Sequence, residues 1–500
     1  MSTHAPEAPG HHSLLRSRAA HIATLQLEAK HGIHVGDVVT ITNASNASYN
    51  ASDAKVTAAD GATISYSNSG ANETETVETA AIVKVVSTNG KSHPAAPQKV
   101  NLRRPDIMEA VQALVVQHYR SELVEHIRSN GGVMDVPGKL TIRLAKEFGF
   151  CYGVERAIDL AYAARKRFPA PTRIFLLGEI IHNPEVNDQI RDMGIVSLSP
   201  KPADEELRNL KLTPDDVVLI PAFGTEVATR QKLEASGCYL VDTTCGDVMS
   251  VWKRVRQYSK DTVTSIIHGK AWHEETKATS SQARAHGSGH YLVVFTLAET
   301  DYVCNYILNG GNKSEFLEKF KGAYSEGFDP DVHLQAVGVA NQTTMLRGET
   351  EEVQRRLKTA MIKKFGEGEL QKHFRFFDTI CGATQDRQDA LEKLLREPLD
   401  LLLVIGGYNS SNTSHLAEMG EASGLPTYFI KNAAKMVSDK VIVHYDQHQH
   451  KEVETPDWLP ANKRIVGITA GASCPNNLIE DTIRRLFELR GISGQHLLAN

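Results

Sequence analysis

Cys151, Cys245 and Cys381 each stand where a short apolar strand gives way to an amphipathic helix, and the unit around them recurs three times. In the first unit a strand over 140–145 leads through Gly149-Phe150-Cys151-Tyr152-Gly153 into a helix with Val154, Ala157, Ile158, Ala161 and Phe168 on one face. The second has a strand over 239–241, the run Asp242-Thr243-Thr244-Cys245, and a helix carrying Val248, Val251, Trp252 and Val255. The third has a strand over 374–377, Asp378-Thr379-Ile380-Cys381, and a helix with Ala390, Leu391, Leu394 and Leu395 that Pro398 ends. The i, i+3, i+4, i+7 spacing predicts all three helices, and the triplication brings three thiols to one centre. An all-thiolate set suits soft metals. A structural zinc closes with four protein ligands and a catalytic zinc keeps three with an open place. A [4Fe-4S] cluster is usually held by four cysteines, so three would leave one iron free to bind a substrate oxygen while the cluster supplies electrons. A single cysteine reads as an ordinary buried thiol. Equivalence across a repeat argues against that for these three, whereas Cys238, Cys304 and Cys474 have no such equivalence and keep it.

Each helix feeds a second strand, over 174–177, 264–267 and 401–405, which opens into a polar loop. The loops read Glu179-Ile180-Ile181-His182-Asn183, His273-Glu274-Glu275 and Asn409-Ser410-Ser411-Asn412. A third strand, over 217–220, 336–340 and 465–468, ends in Pro221-Ala222-Phe223-Gly224, Asn341-Gln342-Thr343-Thr344 and Thr469-Ala470-Gly471-Ala472-Ser473. Ligands bind at the C-terminal edge of parallel α/β sheets, where helix N-termini and loop amides converge. These loops carry neither a Walker lysine nor a dinucleotide glycine fingerprint. Their hydroxyls, amides and imidazoles, at His182, His273, Thr343, Thr344, Asn409, Ser410, Ser411, Asn412 and Ser473, suit a phosphate or diphosphate. Among them Glu275 is the acid: buried beside an anion, it would have its pKa raised and could donate a proton near neutral pH. Any one of these residues alone reads as a cap, a turn or a solvated side chain. The signal is that every station is filled.

The elements that must position these residues form an α/β fold of three pseudo-repeated lobes, divided at 139–244, 245–380 and 381–500. A helical lead-in over 99–138, with a helix from about 107 to 129, precedes them. Residues 1–98 differ in character: short alternating runs at 37–42, 62–66 and 81–86 predict a small β module, and Gly90, Pro94 and Pro97 mark its linker. Four Asn-x-Ser/Thr triplets, at Asn43, Asn46, Asn50 and Asn72, are what such a composition produces. With 500 residues, 41% of them hydrophobic, the chain can fill several cores. A formal charge of -5 leaves no excess of base for a nucleic-acid partner. The longest strongly apolar stretch, near 399–407, falls far short of the roughly 20 residues that span a bilayer. Residues 1–20 lack the apolar core of a secretory signal. Six widely spaced cysteines fit a reducing compartment, and we expect a cytoplasmic protein of bacterial type, with a plastid location left open. His444, His448 and His450 fall in a polar segment expected to be solvated.

The runs at 149–153, 179–184, 221–224, 242–245, 268–276, 341–346, 378–388, 409–415 and 469–473 closely resemble the 4-hydroxy-3-methylbut-2-enyl diphosphate reductase family, over roughly residues 105 to 495. The resemblance is to the long form found in plants, cyanobacteria and some other bacteria. It implies a trefoil of three α/β lobes around one iron–sulfur cluster. It also implies the last reaction of the methylerythritol phosphate route, removal of an allylic hydroxyl with two electrons and two protons to give isopentenyl and dimethylallyl diphosphate. By the same resemblance Cys151, Cys245 and Cys381 would ligate a [4Fe-4S] cluster. His182, His273, Ser410, Ser411, Asn412 and Ser473 would hold the diphosphate, with Thr344 nearby, and Thr343 and Glu275 would form the proton path. Ferredoxin or flavodoxin is the implied electron donor; a homodimer and the product ratio stay open. Two positions depart from the pattern. Phe223 stands where many bacterial members have histidine, an aromatic that the long form shares, and Gly246-Asp247 replaces a proline followed by an aromatic or aliphatic residue. Two readings compete with the reductase. An iron–sulfur sensor or scaffold would lack the acid and the phosphate residues, and a zinc hydrolase would want a harder, mixed ligand set.

Overall fold

Two units divide the chain, Met1–Ala95 and Ala96–Asn500. A computed structural model describes residues 11–27, 33, 35, 37–59, 62–78, 81–87, 102–202, 204–285, 289–377, 379–462 and 464–493. In the first unit seven antiparallel strands pair in the order Ile22–Leu27, Thr63–Ser67, Ala51–Ala59, Val38–Thr42, Ile82–Ser87, His11–Ala19, Glu73–Val77. His11–Ala19 pairs with Ile22–Leu27 as well, so the sheet folds back on itself. Alternation predicts three of these strands; Ile22–Leu27 shows the same period, with Ala23, Leu25 and Leu27 buried in turn, and is one that sequence reasoning passed over, while Ala51–Ala59 and Glu73–Val77 carry too few apolar residues to show one. Leu25, Ile41, Tyr49, Ile64, Tyr66 and Val83 form the core. The buried Arg16 pairs with Glu73 and Glu78, each at 3.0 Å. From residue 88 onward the expected linker lies outside the described residues.

In the second unit the single lead-in helix expected over 107–129 is two, Pro105–Tyr119 and Glu122–Ser129. Ser121 separates them because its hydroxyl caps the second helix, accepting from the Val124 amide at 3.0 Å. Three sheets follow, and their strand order repeats. The first runs Ile195–Leu198, Ile174–Leu177, Val217–Ile220, Tyr239–Asp242, all parallel. The second runs Tyr291–Val294, Thr264–His268, Val337–Asn341, Phe374–Phe376, also parallel. The third runs Thr427–Ile430, Leu401–Ile405, Ile465–Ala470, Leu140–Leu144, with Val133–Val136 added antiparallel at the edge. Central strands such as Leu401–Ile405 are buried at every position, as parallel strands covered on both faces must be.

This pairing corrects one boundary. A lobe starting at 139 assigns Leu140–Leu144 to the first sheet, but it pairs with Ile465–Ala470 in the third. The reason is shared by all three lobes: the strand before each cysteine closes the preceding lobe's sheet, as Tyr239–Asp242 and Phe374–Phe376 also do. Each cysteine therefore lies on the crossover from one lobe to the next, and the ring is closed by pairing the start of this unit with its end. Among the histidines expected to be solvated, His448 and His450 are exposed, but His444 is not. It sits on the hairpin Val441–Asp446 with Lys451–Pro456, half-buried, with Nε2 2.9 Å from the Thr455 hydroxyl and its ring edge-on to Tyr428. Among the described residues no helix is long and apolar enough to cross a membrane.

Candidate active site

The three cysteines occupy equivalent places. Each is the residue just before its helix, Tyr152–Arg167, Gly246–Lys260 or Gly382–Leu395, in extended backbone and with no cap bond from its side chain. Each backbone N–H donates to the loop after a third strand: Cys151 to the Ala472 carbonyl at 3.2 Å, Cys245 to Ala222 at 2.8 Å and Cys381 to Thr343 at 3.4 Å. Gly246-Asp247 leaves this geometry intact, since Cys245 has the same extended backbone as the other two. The sulfurs face one space. A Cβ on Gly153 would lie 2.5 Å from the Cys245 Sγ and 3.9 Å from the Cys151 Sγ, and the Cys151 thiol acts electrostatically on both Cys245 and Cys381. Burial pushes the Cys245 thiol up and the Cys381 thiol up to about 12. Thiolates in this space need positive charge, which the three helix N-termini provide in part and a bound metal would complete. Among the described residues one trio of potential ligand atoms lies within 4.8 Å of one another, that of His182, His273 and Glu274, and the three sulfurs are not such a trio. A single tetrahedral zinc at about 2.3 Å from each sulfur would draw them closer than that; a cluster of several irons accommodates wider spacing. The other cysteines pack into the hydrophobic cores of the lobes, Cys238 and Cys474 buried within two of them and Cys304 against a third.

Above this centre the loops of the three lobes meet. Asn409 of the third lobe donates from Nδ2 to Glu179 of the first at 2.8 Å, and the Ser473 hydroxyl donates to the His182 carbonyl at 3.1 Å and lies 3.4 Å from the Ser410 hydroxyl. His182 stacks on Phe223 with centroids 4.6 Å apart and lies edge-on to His273 at 5.1 Å. Its Nδ1 is 3.2 Å from Glu179 Oε2, and its buried Nε2 has no hydrogen-bond partner. His273 precedes the helix Glu274–Ala283, and its Nδ1 accepts from the Glu275 amide at 3.2 Å. Burial holds its pKa well below the ordinary range. The ring is therefore neutral with its proton on Nε2, and that buried N–H also has no partner. Asn412 accepts from the Ala472 amide at 2.9 Å through Oδ1, leaving its buried Nδ2 unpartnered. Ser410, Ser411 and Asn412, all buried, stand at the N-terminus of the helix Ser411–Ala422. Unpaired buried donors at a helix N-terminus call for an anion. That argues against a cation at His182, His273 and Glu274, because His273 presents an N–H there rather than a lone pair. Thr344 is half-buried, its hydroxyl accepting from Gln342 Nε2 at 2.8 Å.

Glu275 is 3% exposed. Its Oε1 accepts from the Thr343 amide at 2.6 Å and its Oε2 from the Thr343 hydroxyl at 3.0 Å. Burial raises its pKa to about 7 against the opposing effect of those two bonds. The same Thr343 accepts from the Cys381 amide through its carbonyl, and the Glu275 amide donates to His273 of the anion site, so the acid is tied to both centres. Cys151, Cys245 and Cys381 thus form one group and the loop residues expected to hold an anion form another, with Glu275 and Thr343 joining them. Sequence reasoning passed over Glu179 and Gln342, which orient His182 and Thr344, and Arg387, a charge on the buried stripe of the Cys381 helix.

A three-lobed α/β ring with a thiol triad at its centre, an anion site beside it and a buried acid within reach of both defines a reductase-type site for a phosphorylated substrate. The chain belongs to the LytB protein family, which it matches over residues 142–487. It is 47% identical to the 4-hydroxy-3-methylbut-2-enyl diphosphate reductase of Gloeothece citriformis, over 79% of this chain and 96% of that one. Identity to the enzyme of the same name from Gloeobacter violaceus is also 47%, over 76% of this chain and 90% of that one. The fold is shared with the E-1-hydroxy-2-methyl-but-2-enyl-4-diphosphate reductase structure from Plasmodium falciparum, at a TM-score of 0.51 and 20% identity, over 70% of this chain and 89% of that one.

Proposed function

We propose that this chain is an oxidoreductase of isoprenoid synthesis that reduces 4-hydroxy-3-methylbut-2-enyl diphosphate to isopentenyl and dimethylallyl diphosphate, with Cys151, Cys245 and Cys381 holding a [4Fe-4S] cluster. The observation that carries this reading is Glu275, a buried acid with a pKa of about 7, set between unpartnered anion donors and three converging thiols. When bound, the cluster supplies electrons and one iron without a protein ligand, a Lewis acid for oxygen. The chain's own residues bind, orient and protonate. His273 Nε2–H, Asn412 Nδ2 and the N-terminus of Ser411–Ala422 hold the diphosphate, with His182, Ser410, Ser411 and Ser473 completing the cradle and Thr344 beside it. Two electrons and two protons enter and one water leaves. Glu275 keeps its proton near neutral pH; the Thr343 hydroxyl, which lies 3.0 Å from Oε2, turns to accept from the protonated carboxyl and donates its own proton toward the departing oxygen. A small one-electron carrier, ferredoxin or flavodoxin, is the donor. A sensor that had lost this chemistry would not retain the acid and the donors together.

An anaerobic assay with a reduced dye as donor tests the reading; cluster-loaded protein that leaves the substrate unreduced would refute it. Two further outcomes are expected. Gly153→Ala would press a methyl into the Cys245 sulfur, so iron bound per chain should fall sharply, as iron analysis would report. Residues 1–98 supply none of the stations, so the chain shortened to 99–500 should keep its cluster and turnover. Loss of turnover with the cluster intact would assign the β module a part in catalysis.

A further inference from the structure

Arg387 lies on the helix Gly382–Leu395, on the same buried stripe as Thr384, Gln388 and Leu391. It is 5% exposed. Its Nε and Nη2 donate to the Gly149 carbonyl at 3.2 and 2.6 Å, and Nη1 donates to the Ala383 carbonyl at 2.7 Å. Every contact is to a neutral carbonyl, and among the described residues the guanidinium forms no ion pair with a carboxylate. A guanidinium stays charged at any working pH. Buried without a counter-ion, it is a costly arrangement that proteins keep where an anion is supplied. Burial is the main influence on this group, and the groups whose ionised forms would favour its charge are first Cys151 and then Cys381, ahead of Glu147 and Asp386.

We propose that Arg387 is the counter-ion of the thiolate-bound cluster and the clamp that fixes the Cys151 loop to the Cys381 helix. The inference rests on the reading that these cysteines hold the cluster. The clamp is geometric: the carbonyl it grips belongs to Gly149, two residues before Cys151, and Gly149 is itself at φ +77° with the Asn476 side chain where a Cβ would stand. The counter-ion is electrostatic. A fixed positive charge beside a cluster favours the state with one more electron, so removing it should lower the reduction potential. Arg387 is thus a positioning residue, touching neither substrate nor the reacting atoms.

Three variants of the full-length holoenzyme test this, read by EPR-monitored redox titration and by iron per chain during chelator challenge. Arg387→Met and Arg387→Gln remove the charge, and both should move the midpoint potential to a more negative value. Arg387→Lys keeps the charge but loses the two-pronged grip on Gly149, so its potential should stay near the parent's while the cluster is lost faster to chelator. If neither neutral variant holds a cluster and the lysine variant does, the need for charge is established directly. A parental potential in the neutral variants, or failure of all three to hold iron, would overturn the counter-ion role. Failure of the underlying reading looks different: Cys245→Ser protein would keep its iron.

Discussion

Serine at position 151, 245 or 381 is expected to remove the visible absorption of the cluster, the bound iron and all measurable turnover. A hydroxyl is a poor ligand for a soft metal and does not ionise where a thiol can. Each cysteine holds an equivalent place at a helix N-terminus, so none can be replaced by a neighbour. Serine at 238, 304 or 474 should leave iron content and turnover close to the parent's, because those thiols lie outside the centre. Iron and sulfide analysis of anaerobically purified variants, with turnover measured on the same samples, decides the matter. Cluster loss in Cys304→Ser, with retention in Cys245→Ser, would reverse the ligand assignment.

Glu275→Gln should bind iron and diphosphate as the parent does, yet turn over about 10²–10⁴-fold more slowly, the usual contribution of general acid catalysis. The amide keeps the size of the side chain and can still accept from the Thr343 amide, but it has no proton to give. The pH dependence follows from the raised pKa. The working form is the protonated carboxyl, which predominates below about 7 and is lost as pH rises through that value, so parental turnover should fall on the alkaline side. The glutamine variant should lose that limb and keep a flat, low rate. Near-parental turnover of Glu275→Gln at donor saturation would move the acid role elsewhere, to His182 or to the substrate's own diphosphate.

The parts of this site that sequence reveals are those governed by local rules. A cysteine before an amphipathic helix, or a serine–asparagine run after an apolar strand, is written in consecutive residues, and three occurrences outweigh the chance of one. What stays hidden depends on distant pairing. Leu140–Leu144 looks like the first strand of the first lobe because the Cys151 helix follows it, and only its register with Ile465–Ala470 assigns it to the third. Glu179 gives no signal alone, since its task is set by His182 and by Asn409 from another lobe. Arg387 was legible in principle: the spacing of Leu391 and Leu394, traced backward, puts position 387 on the buried side, and a charge there needs a reason. His444 misleads because the segment's polarity points to solvent, while its hairpin turns the ring against Tyr428.

The closure of the ring also sets an order of events during synthesis. Leu140–Leu144 leaves the ribosome with its apolar side chains ready, but its parallel partner emerges roughly 300 residues later, a contact of high sequence separation that forms late and slowly. Until then the strand has only its hairpin partner Val133–Val136, and its other edge stays open, a kind of edge that invites aggregation. Nor can the third lobe's sheet be completed by a nascent chain that stops short of Ile465–Ala470. Cluster insertion is therefore expected to follow emergence of Ile465–Ala470, and a nonsense codon between the Leu140–Leu144 and Ile465–Ala470 strands should yield insoluble, iron-free fragments rather than a partly active enzyme.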